Sequence, residues 1–206
     1  MVGFLFKDNK TDQYLDDPDV KLMLKFKEEE DPKVFEELMS KNFSRIMNFI
    51  YRFVADRELA EDLTQEVFIK IYNSASNYYP RSKFKTWAFT IARNISLNEL
   101  RKNKGATVSL DKPFKYGEDD ISLQVEDKTV TRPDDAIIKG ELVDAVDKAI
   151  NELPSNQRTA ILLIRYEGFS YEEVARTMNT TVSAVKSLLS RARETLKEKL
   201  ADIVSG

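Results

Sequence analysis

The stretch Ser170-Tyr171-Glu172-Glu173-Val174-Ala175-Arg176-Thr177-Met178-Asn179-Thr180-Thr181-Val182-Ser183-Ala184-Val185-Lys186-Ser187 decides the fold. Ser170 and Glu173 stand at the spacing of a capping box. In that arrangement the serine hydroxyl takes one orphan amide of the first turn and the glutamate reaches back to the serine amide. The helix they open runs to Met178 and is expected to bury Tyr171, Val174, Ala175 and Met178. Asn179 tolerates the left-handed backbone that a tight turn needs, and Thr181 can cap a second helix from Val182 to about Asp202. Val182, Val185, Leu189, Ala192 and Leu196 form the apolar stripe of that helix. Ser183, Ser187, Ser190, Arg191 and Glu194 take the opposite face, flanked by Lys186 and Arg193. A short helix, a tight turn and a longer helix with a small, polar, basic outer side make a helix-turn-helix. Arg191 is long enough for a guanine edge or a phosphate, and Lys186 suits a phosphate. On spacing alone, an ordinary helical hairpin competes with this reading.

Helical periodicity continues upstream. Ile138, Leu142, Val146 and Ala149 line one helix, and a helix from Ser155 to Glu167 follows Pro154 and ends at Gly168. Three strongly amphipathic segments fill the first half: Lys33–Ala55, Glu58–Ser76 and Lys83–Lys102, each with apolar residues at steps of three and four. A weaker helix is expected at Val20–Glu29. Between the halves, Asn103–Pro133 has no sustained period, too long a structureless stretch for one compact domain. No strand alternation occurs. The expected fold is all-α, with two small helical domains at residues 1–103 and 134–206 joined by a flexible acidic linker at 104–133.

The chain has 206 residues, 42% of them hydrophobic and 33% charged, with no Cys and no His. That excludes disulfides, a cysteine nucleophile, a thiolate zinc site and any histidine-based acid–base catalysis. No apolar run approaches the roughly 20 residues that span a bilayer, no signal peptide is evident, and a cytoplasmic location is expected. The formal charge of −3 conceals a segregation. Arg81–Lys104 holds seven basic residues against one acid, and Thr181–Leu200 five against two. Acids dominate Asp16–Met39 and Glu118–Asp144. A basic patch is an affinity element for a polyanion whatever the average.

Ala60-Glu61-Asp62-Leu63-Thr64-Gln65-Glu66-Val67-Phe68-Ile69-Lys70-Ile71-Tyr72 resembles the core-polymerase-binding helix of bacterial sigma factors. Lys83-Phe84-Lys85-Thr86-Trp87-Ala88-Phe89-Thr90-Ile91-Ala92-Arg93-Asn94, continuing to Leu100-Arg101-Lys102, resembles their −10 recognition helix. Leu153-Pro154, Arg158, Tyr166–Ala175, Val185-Lys186-Ser187 and Ser190–Arg193 resemble their −35-binding domain. The two-domain arrangement is similar to the extracytoplasmic-function (ECF) class of the sigma-70 family.

The resemblance implies a sigma-2-like bundle, a sigma-4-like helix-turn-helix domain and three binding surfaces. Core polymerase would meet Glu61, Asp62, Gln65, Glu66, Phe68 and Ile69. The −10 strand would meet Tyr78, Tyr79, Arg81, Lys83, Lys85, Thr90, Arg93, Asn94 and Arg101. The −35 duplex would meet Arg158, Ser183, Lys186, Ser187, Ser190, Arg191 and Arg193. Trp87 falls on the core stripe with Phe84 and Ile91, and Tyr78 and Tyr79 stand open between stacking on a base and packing. Leu188 and Ser190 depart from the basic and larger residues usual in relatives. The implied partners are core RNA polymerase, promoter DNA and an anti-sigma factor. No catalytic residue, cofactor, metal, membrane or small-molecule substrate is expected. Competing readings are a conventional DNA-binding regulator, which leaves the first-half motifs unused, a pure adaptor, and an enzyme, for which adjacent acids such as Glu172/Glu173 offer no convergent site.

Overall fold

The computed structural model describes residues 12–103 and 145–204. All regular structure among them is helical, and the chain divides into two compact units. In the first, α1 (Pro18–Glu29), α2 (Pro32–Val54), α3 (Arg57–Asn73) and α4 (Phe84–Asn103) form a bundle, with single 3-10 turns at Asp12–Tyr14 and Ala75–Asn77.

The starts of its first three helices are written locally. Asp17 caps α1, accepting from the amides of Asp19 (2.9 Å) and Val20 (3.3 Å), and Pro18 supplies the first helical residue, where its missing N–H costs nothing. Asp31 and Pro32 repeat the device on α2, with the Lys33 amide 2.9 Å from Asp31 Oδ1. Asp56 caps α3 through Leu59 N at 3.0 Å. The helix ends are as sharp. Glu30 (φ 52°) and Ala55 (φ 54°) turn left-handed, and their amides donate to Phe26 and Tyr51 carbonyls.

Helix α2 lies at the centre and packs against α1, α3 and α4. Leu38, Ile46, Phe49 and Ile50 are essentially inaccessible, as are Met23 of α1, Val67 and Ile71 of α3, and Phe84 and Phe89 of α4. Phe49 meets Phe89 edge-on, ring centroids 5.1 Å apart. Burying one such ring stabilises by about 1.5–3 kcal/mol. Several buried polar groups are satisfied within the bundle: Asn42 donates to Asp19 Oδ2 (3.1 Å) and to the Leu38 carbonyl (3.0 Å), while the Thr64 and Ser96 hydroxyls return to the carbonyls of Ala60 and Ala92.

The second unit contains α5 (residues 145–151), α6 (Ser155–Arg165), α7 (Tyr171–Thr177) and α8 (Val182–Val204). Gly168, φ 63°, closes α6 in the left-handed conformation, and the Phe169 amide beyond it donates to the Leu163 carbonyl at 3.0 Å, six residues back. The capping box forms as expected, and so does the Thr181 cap, whose Oγ1 accepts from Ala184 N at 3.1 Å. Asn179 is left-handed, φ 52°. Leu162 and Leu163 of α6, Val174 of α7, and Val185, Leu189 and Ala192 of α8 are buried. Val182 and Leu196 are only half-buried, at the ends of their stripe, and Tyr171, expected inside, is half-exposed. The helix expected from Asp134 is described only from residue 145, and the linker at 104–133 lies outside the described residues.

Candidate protein- and nucleic-acid-binding surfaces

Helix α3 presents two different sides. Val67 and Ile71 are inside, whereas Glu61, Asp62, Gln65, Glu66 and Ile69 face solvent. Glu66 pairs with Lys70 at 2.9 Å, an exposed pair one helical turn long. Phe68 is 3% exposed and so is a floor, not a projecting contact. What it floors is an apolar groove of about 290 Å³ between α2 and α3, walled by Phe35, Met39, Phe43, Gln65, Ile69 and Tyr72. Phe43 stacks on Phe68 with centroids 6.0 Å apart, and Ile69 (59% exposed) and Tyr72 (50%) form the lip. An acidic ridge beside an open apolar groove suits a helix carrying both apolar and basic groups. The α2 wall was not singled out from sequence. Its signal is a second apolar stripe, Phe35, Met39 and Phe43 at steps of four, more than one core face requires.

The connection from α3 to α4 separates two adjacent tyrosines that sequence left equivalent. Tyr78 is 5% exposed, its ring 4.9 Å from that of Trp87, and burial pushes its phenol above the ordinary value. It is a packing residue, which corrects its expected place among the DNA contacts. A base cannot reach a ring enclosed on this scale. Tyr79 is 48% exposed, with the Arg81 guanidinium 6.0 Å from its ring centroid, an aromatic face beside a cation at the surface. Lys83 is exposed and Lys85 half-exposed. Trp87, expected in the core, is half-buried between Tyr78 and Phe84. Along α4, Thr90, Asn94 and Arg101 share one face at steps of four and seven. Asn94 and Arg101 are exposed, while Thr90 is half-buried and returns its hydroxyl to the Thr86 carbonyl at 2.7 Å. Arg93, half-exposed, lies 3.5 Å from the Asn94 side-chain oxygen.

In the second unit, Ser183, Lys186, Ser187, Ser190 and Arg191 occupy one face of α8 at helical spacing. Lys186 and Ser190 are exposed; Ser183, Ser187, Arg191 and Arg193 are half-exposed. Arg158 sits on α6, also half-buried, and burial holds its guanidinium below the usual arginine value. Serines carry little bulk, so such a face lets another surface come close to the helix backbone. Among the described residues, no group of His, Cys, Asp or Glu side chains is arranged to hold a metal ion, and no helix is long and apolar enough to cross a membrane.

The family described as Sigma-70 region 2 matches residues 38–106, and that described as Sigma-70, region 4 matches residues 144–196. The RNA polymerase sigma-H factor of Pseudomonas aeruginosa is 34% identical over 178 residues, spanning 84% of this chain and 90% of that protein. The chain belongs to the sigma-70 family, ECF class. The ECF sigma-E factor of Escherichia coli K12 is 30% identical across 84% of this chain and 90% of its own length. The ECF sigma factor SigW of Bacillus subtilis is 29% identical across 89% and 98%. Among solved structures, the sigma factor RpoE of Bartonella quintana in complex with the anti-sigma factor NepR aligns at a TM-score of 0.59 and 28% identity, over 82% of this chain and 98% of that one. CnrH, solved with the cytosolic domain of CnrY, aligns at 0.65 and 19% identity, covering 89% and 97%, a likeness of fold. This sigma factor therefore binds core RNA polymerase and directs promoter-specific initiation.

Proposed function

We propose that this sigma factor divides its work among the three surfaces. Residues 1–103 form a region 2 domain that docks on core polymerase through Glu61, Asp62, Gln65, Glu66 and Ile69 over the Phe68 groove. The same domain captures the −10 strand with Tyr79, Arg81, Lys83, Lys85, Thr90, Arg93, Asn94 and Arg101. Single-strand capture needs a positive surface and an aromatic platform, and the exposed Tyr79 beside Arg81 supplies both. Residues 134–206 form a region 4 domain that reads the −35 duplex with Ser183, Lys186, Ser187, Ser190, Arg191, Arg193 and Arg158, and residues 104–133 link the two.

The observation that carries this reading is the segregation of charge by element. One basic polar helix face lies in each unit, and the acidic ridge lies apart on α3. An anti-sigma factor that covers these surfaces is a further expected partner, supported by the solved complex of the similar sigma factor RpoE with the anti-sigma factor NepR. The test is reconstitution. Purified protein with core polymerase should start transcription at defined sites where core alone does not, and mapped starts should share two sequence elements. Failure to co-elute with core on a sizing column would overturn the docking surface.

A further inference from the structure

Helix α1 lies ahead of the matched region 2, which begins at residue 38, and none of the surfaces above uses it. Its last turn nevertheless touches both the end of α3 and the −10 loop that follows it. Phe26, 4% exposed, packs on Tyr72 near the C-terminal end of α3, centroids 5.2 Å apart. One residue later, Lys27 Nζ donates to the Tyr78 carbonyl at 2.8 Å, across fifty-one positions of sequence and in a part-buried setting. Tyr78 is also fixed on its other side, its ring against Trp87 of α4 and its amide on the Ala75 carbonyl at 3.0 Å. Its hydroxyl makes no hydrogen bond, so the residue is held by its backbone and its ring face alone. The next residue, Tyr79, is the one turned to solvent beside Arg81.

We propose that Lys27 is a positioning residue for promoter opening: by clamping the Tyr78 carbonyl it fixes the loop so that Tyr79 and Arg81 are held outward to receive an unstacked base. The proposal rests on the reading of this loop as the −10 contact. The physical reason is directional. A carbonyl gripped by an ammonium fixes one peptide plane, and that plane sets the direction in which the following side chain leaves the backbone. Preorganisation of this kind lowers the cost of capturing a mobile strand, since less of the loop has to be ordered on binding.

The test has two arms. Trp87 is the sole tryptophan and touches Tyr78 directly, so its fluorescence reports where the loop is. In the free protein, Lys27→Met, which keeps the aliphatic stem, should increase acrylamide quenching of Trp87 with the far-ultraviolet circular dichroism unchanged, and Lys27→Arg should restore the native signal. Unaltered quenching in Lys27→Met overturns the clamp. In the holoenzyme, Lys27→Met should slow −10 opening about tenfold, the factor that goes with one charge-assisted hydrogen bond, with core affinity and −35 duplex binding unchanged. Lys27→Arg should recover most of the rate.

Tyr79→Ala serves as the companion. If it slows opening and Lys27→Met does not, the positioning role is overturned while the loop reading stands. If Tyr79→Ala opens promoters normally, the loop reading falls and the positioning proposal falls with it. Equal loss of core affinity, −35 binding and opening in Lys27→Met would mean general damage to the bundle and would also overturn it.

Discussion

Ser170 and Glu173 cap one another. The Ser170 amide donates to Glu173 Oε2 at 2.8 Å, and the Glu173 amide donates to Ser170 Oγ at 3.2 Å. Two orphan amides of α7 are satisfied by one reciprocal pair, which fixes where the helix begins and so where α8 is presented. Ser170→Ala should cost about 1 kcal/mol locally. Amide hydrogen exchange in α7 should then accelerate roughly fivefold, with α2 and α3 unaffected. An unchanged α7 would mean that packing alone sets its start.

Arg191 and Lys186 share a helix face but are assigned different tasks. Arg191→Ala should weaken binding to the preferred −35 duplex by about 1–3 kcal/mol and flatten discrimination among duplexes. Lys186→Ala should weaken all duplexes alike and lower the salt slope by about one. Titrations at several salt concentrations on matched and mismatched duplexes separate the two. A uniform loss in Arg191→Ala would make that arginine a phosphate contact.

Phe68 and Ile69 are neighbours with opposite exposure, 3% and 59%. Phe68→Ala removes a buried ring and should destabilise the first unit by about 3–5 kcal/mol. Ile69→Ser, at the lip of the groove, should leave stability within about 0.5 kcal/mol and weaken core polymerase binding. Full core affinity in a folded Ile69→Ser protein would remove the groove from the docking surface.

Tyr78 has a buried hydroxyl without a hydrogen bond. Tyr78→Phe should therefore stabilise the protein at neutral pH by about 1 kcal/mol. The pH dependence has a definite sign. Burial first, and then the charge of Asp17, raise the phenol above its ordinary value of 10.0, so the fold favours the neutral form. Below pH 10 the phenol is neutral in both states and contributes no slope. Above it the unfolded chain ionises first and gains, so native stability falls with rising pH. Urea unfolding on both sides of pH 10 should show wild type losing ground to Tyr78→Phe only on the alkaline side.

What the sequence made legible is what is decided locally. Ser170 with Glu173 and Thr181 open helices, and Asn179 takes the turn, because each device acts within a few residues. The helices of the first bundle follow from apolar spacing for the same reason. Tyr78 and Tyr79 show where that ends. They are the same residue type side by side, and only the approach of α1 and α4 distinguishes the buried ring from the exposed one. The groove is similar: Phe35, Met39 and Phe43 sit on a helical stripe like any core stripe, and its openness depends on what α3 leaves uncovered.

Glu30 and Ala55 carry the last consequence. Both take left-handed backbone without being glycine, a conformation that costs an L-residue about 1–2 kcal/mol. They sit in the connections from α1 to α2 and from α2 to α3, where each is followed directly by a capping aspartate. Corners so short and so strained cannot act as hinges. The three helices must move as one body, so the connection between Asn73 and Phe84, tied to α1 through Lys27, is anchored on a frame that does not flex beneath it.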